Sequence, residues 1–349
     1  VKALFHSHSP LRIFGLSGLL TVAGILGVLL ASGASAMLVI IILIAVEIAF
    51  SFDNAIINAK TLGKLSERWQ QVFLTVGMVI AVLGMRVVFP ILIVSLSAHL
   101  SWSEVINLAF HHPHEYAHKL ELAHPTIAAF GGGFLLMLAL EFFIDDKRKV
   151  TWLGRIERPL QRIAAIWVPA VVSLAVVAIV AVIPADHHPM TILLAGTLGV
   201  VTHTVIELLT HLLGSRSPED ATSPARPLTG LAALSTFIYL EILDASFSFD
   251  GVLGAFAVTS KVVLIAIGLG IGALWVRSLT VFMVRKGTLS QYIYLEHGAH
   301  YTVLVLAAVL LASIFFEIPD VLTGVVGLGF IGASIVASRQ AIQARRTKN

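Results

Sequence analysis

Apolar residues run in long unbroken stretches along this chain, and polar residues gather in short segments between them. A helix needs roughly 20 mostly apolar residues to cross a bilayer. Ten stretches qualify: residues 11–31, 36–59, 71–97, 126–144, 161–183, 189–212, 229–258, 261–284, 300–315 and 320–338. The ninth is short and admits a start nearer Tyr292.

The intervening segments alternate in character. One set is basic: the N-terminus with Lys2 and Arg12, KTLGKLSER, DDKRKVTWLGRIERPLQR, the loop with Arg216 and Arg226, the loop with Arg285 and Lys286, and the tail RQAIQARRTKN. The other set is poor in Lys and Arg: ASGASA, residues 98–125, PADHHP, VTSK and FEIPD. The positive-inside rule then puts both termini in the cytoplasm. A miscounted helix would break the alternation.

Composition agrees with this pattern. The chain of 349 residues is 57% hydrophobic and 12% charged, with a mean hydropathy of +0.93. The charged share is about half that of a soluble domain. The expected fold is an all-α integral membrane protein, and the soluble classes are excluded. Cysteine is absent, which excludes disulfides, zinc fingers and thiol catalysis. The net charge of +3 belongs to loop Lys and Arg, and no basic arm with interleaved aromatics points to nucleic acid. The first stretch has a rival reading as a signal peptide ending at ASGASA. Its apolar length of about 18 residues exceeds the usual 7–15, which favours a retained helix.

Two segments share a motif. EIAFSFDNAI (47–56) and DASFSFDGVL (244–253) both carry an acid, a serine four residues on, and a second acid two residues after that. These are Glu47, Ser51 and Asp53 in the first copy, and Asp244, Ser248 and Asp250 in the second. The next helix carries an arginine in each case, Arg86 in GMRVVFP and Arg277 in LWVRSLT. The halves therefore match as helix triplets, 36–144 and 229–315, and the loop charges give them opposite orientation. Inverted repeats are a transporter plan, with an ion site near the midplane where the halves meet. The chain divides into an N-terminal helix (1–35), the first repeat (36–144), a basic loop with a connecting helix pair (145–228), the second repeat with the last helix (229–338), and a tail (339–349).

On a regular helix Glu47, Ser51, Asn54 and Asn58 share a stripe, and Asp53 lies about 120° from Glu47. Both acids reach one ion if the helix unwinds near Ser51, and near Ser248 in the second copy, or if another helix supplies ligands. Each acid at the bilayer centre costs about 2.5–3.5 kcal/mol, so Glu47, Asp53, Glu241, Asp244 and Asp250 together cost on the order of 10 kcal/mol. Arg86 and Arg277 offset part of this as structural ion pairs. Five acids against two arginines still leave negative charge, which protons or a cation must balance. Carboxylates, the Asn54 amide and serine hydroxyls are hard donors that favour Mn²⁺, Ca²⁺ or Mg²⁺ over Zn²⁺ or Cu⁺.

Three further constellations stand out. HTVIELLTH sets His203, Glu207 and His211 on one face, either a proton or metal relay or a polar seam against a neighbouring helix. Glu141 and Glu296 lie at span ends, as groups at an inner mouth or as interfacial residues. The outer segment 98–125 holds His99, His111, His112, His114, His118 and His124, and HEYAH within it fits H-E-x-x-H. A zinc protease would need a third ligand, with Glu115 as base, and no clear candidate is visible.

At FSFDN, the arginine of the following helix and the later FSFDG, the sequence resembles the TerC/Alx family of integral membrane proteins. KTLGKLSERWQQ and LEHGAHY look closest to a branch of bacterial proteins long catalogued only as a conserved domain of unknown function. The likeness covers roughly residues 36–338. It implies a multi-pass fold related to LysE-type transporters, in the bacterial inner membrane. It also implies efflux of a divalent metal, chiefly Mn²⁺, with a historical link to tellurite resistance. Carried over, the family's intramembrane acids fall on Glu47, Asp53 and Asn54, and on Asp244 and Asp250. Gly251 stands where the first motif has Asn54, and the spans between the triplets are additional.

The expectation is therefore a membrane transporter, not an enzyme, exporting a divalent cation by alternating exposure, with proton exchange aiding release. The ion site comprises Glu47, Asp53, Asn54, Asp244 and Asp250 with Glu241 nearby, supported by Ser51, Ser248, Arg86 and Arg277. No cofactor is expected to be permanently bound; Mn²⁺, Ca²⁺ or Mg²⁺ is cargo. The alternatives are a non-transporting membrane protein that supports metal or stress homeostasis and, behind it, the protease.

Overall fold

The structure, a computed structural model, describes residues 10–183, 189–214, 227–259 and 261–346. Arg216, Arg226 and all of PADHHP but Pro189 lie outside them. Helices make up the fold in the order α1 (Pro10–Phe50), α2 (Phe52–Leu62), α3 (Glu67–Val79), a π-helical segment (Ile80–Val88), α4 (Phe89–Ala98), α5 (Trp102–His111), α6 (Pro113–Ile144), α7 (Gly154–Arg162), α8 (Val168–Val182), α9 (Pro189–Gly214), α10 (Gly230–Val258), α11 (Val262–Lys286), α12 (Thr288–Gln291), α13 (Leu295–Ala312) and α14 (Asp320–Arg346). Among the described residues, eight helices are long and apolar enough to cross a membrane, and α8 is a shorter apolar one. Large apolar side chains such as Leu30 and Val182 face outward, as a lipid environment requires. The protein is an all-α membrane protein.

The first of the eight is a hairpin. Gly33 has φ 84° and ψ 179°, a conformation essentially confined to glycine. Before it, Ser17 bonds Ser278 at 2.8 Å and Thr21 accepts from Trp275 at 2.9 Å, so numbering rises on α1 as it falls on α11. After it, Leu43 abuts Gly268 and Glu47 abuts Gly272, so both rise together. The two limbs thus run in opposite directions along α11, as two separate stretches require.

The chain forms two compact units. One comprises Val1–His124 with Pro224–Lys286, and the other Pro125–Ser223 with Gly287–Asn349. In the first, Leu62, Leu65, Phe73, Phe237, Leu240 and Val281 build a buried core. A short bridge between Leu65 and Leu228 closes one end, with Ser66 N–H donating to the Leu228 carbonyl at 3.0 Å.

Residues 98–125 fold into helices rather than an irregular loop. Ser101 accepts from the Glu104 backbone while the Glu104 carboxylate accepts from Ser101 N–H, a capping box that starts α5. The Ser101 hydroxyl, which donates to the Glu104 carboxylate at 2.7 Å, and then the Ser101 N–H hold that carboxyl below the usual range. Pro113 then opens α6, which continues through Pro125.

In the second unit α6 and α13 pack antiparallel: Phe142 stacks on His300 at 3.5 Å, and Gly132 meets Leu311. The ninth apolar stretch begins earlier than residue 300, at Leu295. The fifth begins later, at Val168, because Gly154–Arg162 forms its own short helix.

Candidate cation site

Two motif helices meet in the first unit, and their contacts are reciprocal. Asn54 Nδ2 donates to Asp244 Oδ1 at 2.7 Å. A Cβ on Gly251 would lie 3.3 Å from Glu47 Oε2. Glu47 and Asp244 are equivalent in the repeat, as are Asn54 and Gly251. The two pairs therefore occupy equivalent positions about an approximate two-fold axis, with the helices crossing antiparallel, but only Asn54 has a side chain to make the bond.

The arginines obey the same symmetry. Arg86 forms an ion pair with Glu47. Arg277 Nη2 reaches Asp244 Oδ2 at 3.3 Å and Glu241 Oε2 at 3.0 Å. Each guanidinium is also anchored on backbone: Arg86 donates to the Ala81 carbonyl at 2.6 Å, and Arg277 to that of Phe73 at 2.8 Å. The Phe73 ring lies beneath Arg277 at 4.2 Å. Arg86 sits in the π-helical segment that precedes Pro90. Proline lacks an N–H and its ring crowds the carbonyl four residues back, here that of Arg86 itself. The wider π turn accommodates that carbonyl, and the Arg86 side chain is buried against Glu47.

Glycines make room for the acids. A Cβ on Gly272 would fall 2.5 Å from that of Glu47, and one on Gly77 would strike Arg277 and the Glu241 carboxylate. Close helix approach at small residues is how membrane helices bring polar groups together.

Glu47, Asp53, Glu241 and Asp244 are all buried, as are Arg86 and Arg277. Four carboxyl groups against two guanidinium groups leave two negative charges if all ionise. Asp53 lies in the first turn of α2, and neither arginine reaches it among the described residues. Asn54 Oδ1 and Asn58 Oδ1, one helical turn apart, are buried without a hydrogen-bond partner. Such orphan oxygens are costly unless a donor or cation meets them. Buried carboxylate in excess and unsatisfied amide oxygens are donors of the kind a hard divalent cation takes, although among the described residues Glu47, Asp53, Glu241 and Asp244 do not bring three ligand atoms within 4.8 Å of one another.

At Ser51 the helix is interrupted for one residue but not unwound, since Ser51 N–H still donates to the Glu47 carbonyl and Ala55 N–H to that of Ser51. Ser51, at φ −100° and ψ 16°, separates α1 from α2, and its hydroxyl donates to Glu47 at 3.3 Å. No matching break occurs in the second copy, where α10 is continuous from Gly230 to Val258. The side chains of Ser248 and Asp250 lie outside the described residues, as does that of His211.

His203 and Glu207 belong to the second unit, with Glu141. In HEYAH, His114 and His118 are exposed, Glu115 pairs with Lys119 at 3.8 Å, and His118 with Glu121 at 3.8 Å. No third ligand joins them among the described residues.

Sequence reasoning missed Glu157. It is fully buried on α7 and accepts from Trp152 N–H, Leu153 N–H and Tyr301 Oη, each at 3.1 Å. His297 lies 3.5 Å away, and Arg148 lies 3.3 Å from His297. Burial pushes the Arg148 guanidinium below the usual arginine range. In sequence Glu157 sits among arginines in GRIERPLQR and reads as a solvated charge; only Leu160, one turn on, hints at an inward face.

No curated protein and no solved structure matches the chain. A family model does match, from Phe52 to residue 347, a range that leaves out α1 and Glu47. By that match the chain belongs to the family described as protein of unknown function DUF475.

Proposed function

We propose that this protein transports a divalent cation across the bacterial inner membrane, with Mn²⁺ as its favoured cargo, and exports it from the cytoplasm. The observation that carries the reading is the pair of buried, unpartnered amide oxygens of Asn54 and Asn58 on the helix that also carries Asp53, in a unit with more buried carboxyl groups than its two buried arginines neutralise. Glu47, Asp53, Asn54, Asp244 and Asp250 are the proposed ligands, with Glu241 nearby. Arg86 and Arg277 hold acids while cargo is absent. Protons replacing the cation on the same oxygens aid release. The choice of Mn²⁺ and of export rests on the resemblance of FSFDN and FSFDG to the TerC/Alx family, and the hard oxygen donors agree with it.

The ion pairs favour a second reading, a non-transporting membrane protein in which the acids only brace the helices. Manganese flux into inverted vesicles under a controlled pH gradient separates the two. Transport through this site predicts uptake by the wild type and its loss in Asp53→Asn and Asp250→Asn, both still inserted. Wild-type flux in both variants sinks the transport reading of this site.

A further inference from the structure

The second unit carries its own convergence of ligating groups. Glu141 lies near the end of α6, and His203 and Glu207 lie one turn apart on α9. One ligand atom from each falls within 4.8 Å of the other two. His203 Nε2 is 3.6 Å from Glu141 Oε2.

Backbone contact builds this convergence. A Cβ on Gly133 would lie 2.6 Å from the Gly196 carbonyl oxygen, and one on Gly199 would collide with the Phe130 carbonyl. With no side chains between them, the two helices touch and their polar residues, one or two turns further on, meet instead of splaying. Phe134 packs edge-on to the His203 ring at 5.1 Å, which limits the ring's rotation. The His203 side chain is 1% exposed and that of Glu141 37%. The cluster thus has a closed floor and an open rim.

We infer that Glu141, His203 and Glu207 form a second divalent-cation site, selective for first-row transition ions over Ca²⁺ and Mg²⁺. One imidazole nitrogen and two carboxylates supply the donors. Imidazole suits Fe²⁺, Ni²⁺, Cu²⁺ and Zn²⁺, whereas Ca²⁺ and Mg²⁺ take oxygen; Mn²⁺ prefers oxygen but accepts one imidazole beside two carboxylates, which makes it a usable probe. Three protein ligands leave positions for water, so a bound ion stays exchangeable. This site is separate from the acids of the first unit and does not rest on the transport reading.

Pulsed EPR of Mn²⁺ bound to the purified full chain tests it, because the acid site offers no directly coordinating nitrogen. The wild type should show coupling from one imidazole nitrogen. His203→Gln should abolish it, and Glu207→Gln should weaken Mn²⁺ binding there by about tenfold or more. Asp53→Asn should keep the coupling even where it abolishes flux, which separates failure of this inference from failure of the transport reading. Absence of nitrogen coupling in the wild type, or its persistence in His203→Gln, overturns the inference. The wild-type measurement decides even if a variant misfolds.

Discussion

Asn54 donates to Asp244 across 2.7 Å and so ties the first motif to the second, 190 positions later in the chain. The same amide keeps its oxygen buried and unpartnered. One side chain therefore clamps the two motif helices and offers a ligand atom. Asn54→Ala should lower stability by about 1–3 kcal/mol, since Asp244 loses a donor in a buried site. Flux should fall further than stability does. Thermal unfolding in detergent beside vesicle transport checks both; wild-type flux would refute the ligand role.

The Arg86–Glu47 pair is buried on both sides. Removing one partner leaves an uncompensated charge, so Arg86→Met should destabilise by about 3–5 kcal/mol. Combining it with Glu47→Leu should recover most of that loss. A double-mutant cycle measured by unfolding gives the coupling, and additive single effects would show that the pair is not a unit.

Gly272→Ala should be among the most damaging small substitutions in the first unit. The new methyl would sit 2.5 Å from Glu47 Cβ. Overpacking of this kind costs about 1–3 kcal/mol. Gly27→Ala has nothing within 4 Å and should be neutral or slightly stabilising. Equal effects at the two positions would contradict the close packing.

Glu157 should matter for folding more than its place in a basic segment suggests. Glu157→Leu strands two backbone N–H groups and the Tyr301 hydroxyl, whereas Glu157→Gln keeps an acceptor oxygen. The leucine variant should lose about 2 kcal/mol or more, and the glutamine variant less. Detergent unfolding midpoints rank them, and the opposite order would remove Glu157 from this role.

Most of the helical plan was legible because lipid demands long apolar runs and little else interrupts them. The reversal at Gly33 was visible as ASGASA, and the angle between Glu47 and Asp53 marked Ser51 as one of two ways for both acids to reach one ion. The matching acids and arginines also announced the pairing of the two halves. What escaped were consequences of tertiary packing. The capping box at Ser101 and Glu104 starts a helix in a segment read as a connection between two apolar runs. Burial of Glu157 depends on Tyr301, which is remote in sequence. The contacts at Gly77 and Gly272 depend on which helices happen to touch.

The two copies are not equal, and that inequality has an energetic consequence. With identical motifs, each helix would hold the other by the same bond. Asn54 grips Asp244, but Gly251 has no side chain with which to grip Glu47 in return. A hydrogen bond to a charged group contributes about 1.5–3 kcal/mol. The crossing of the two motif helices is therefore held from one side only, by a single amide with no counterpart in the other copy.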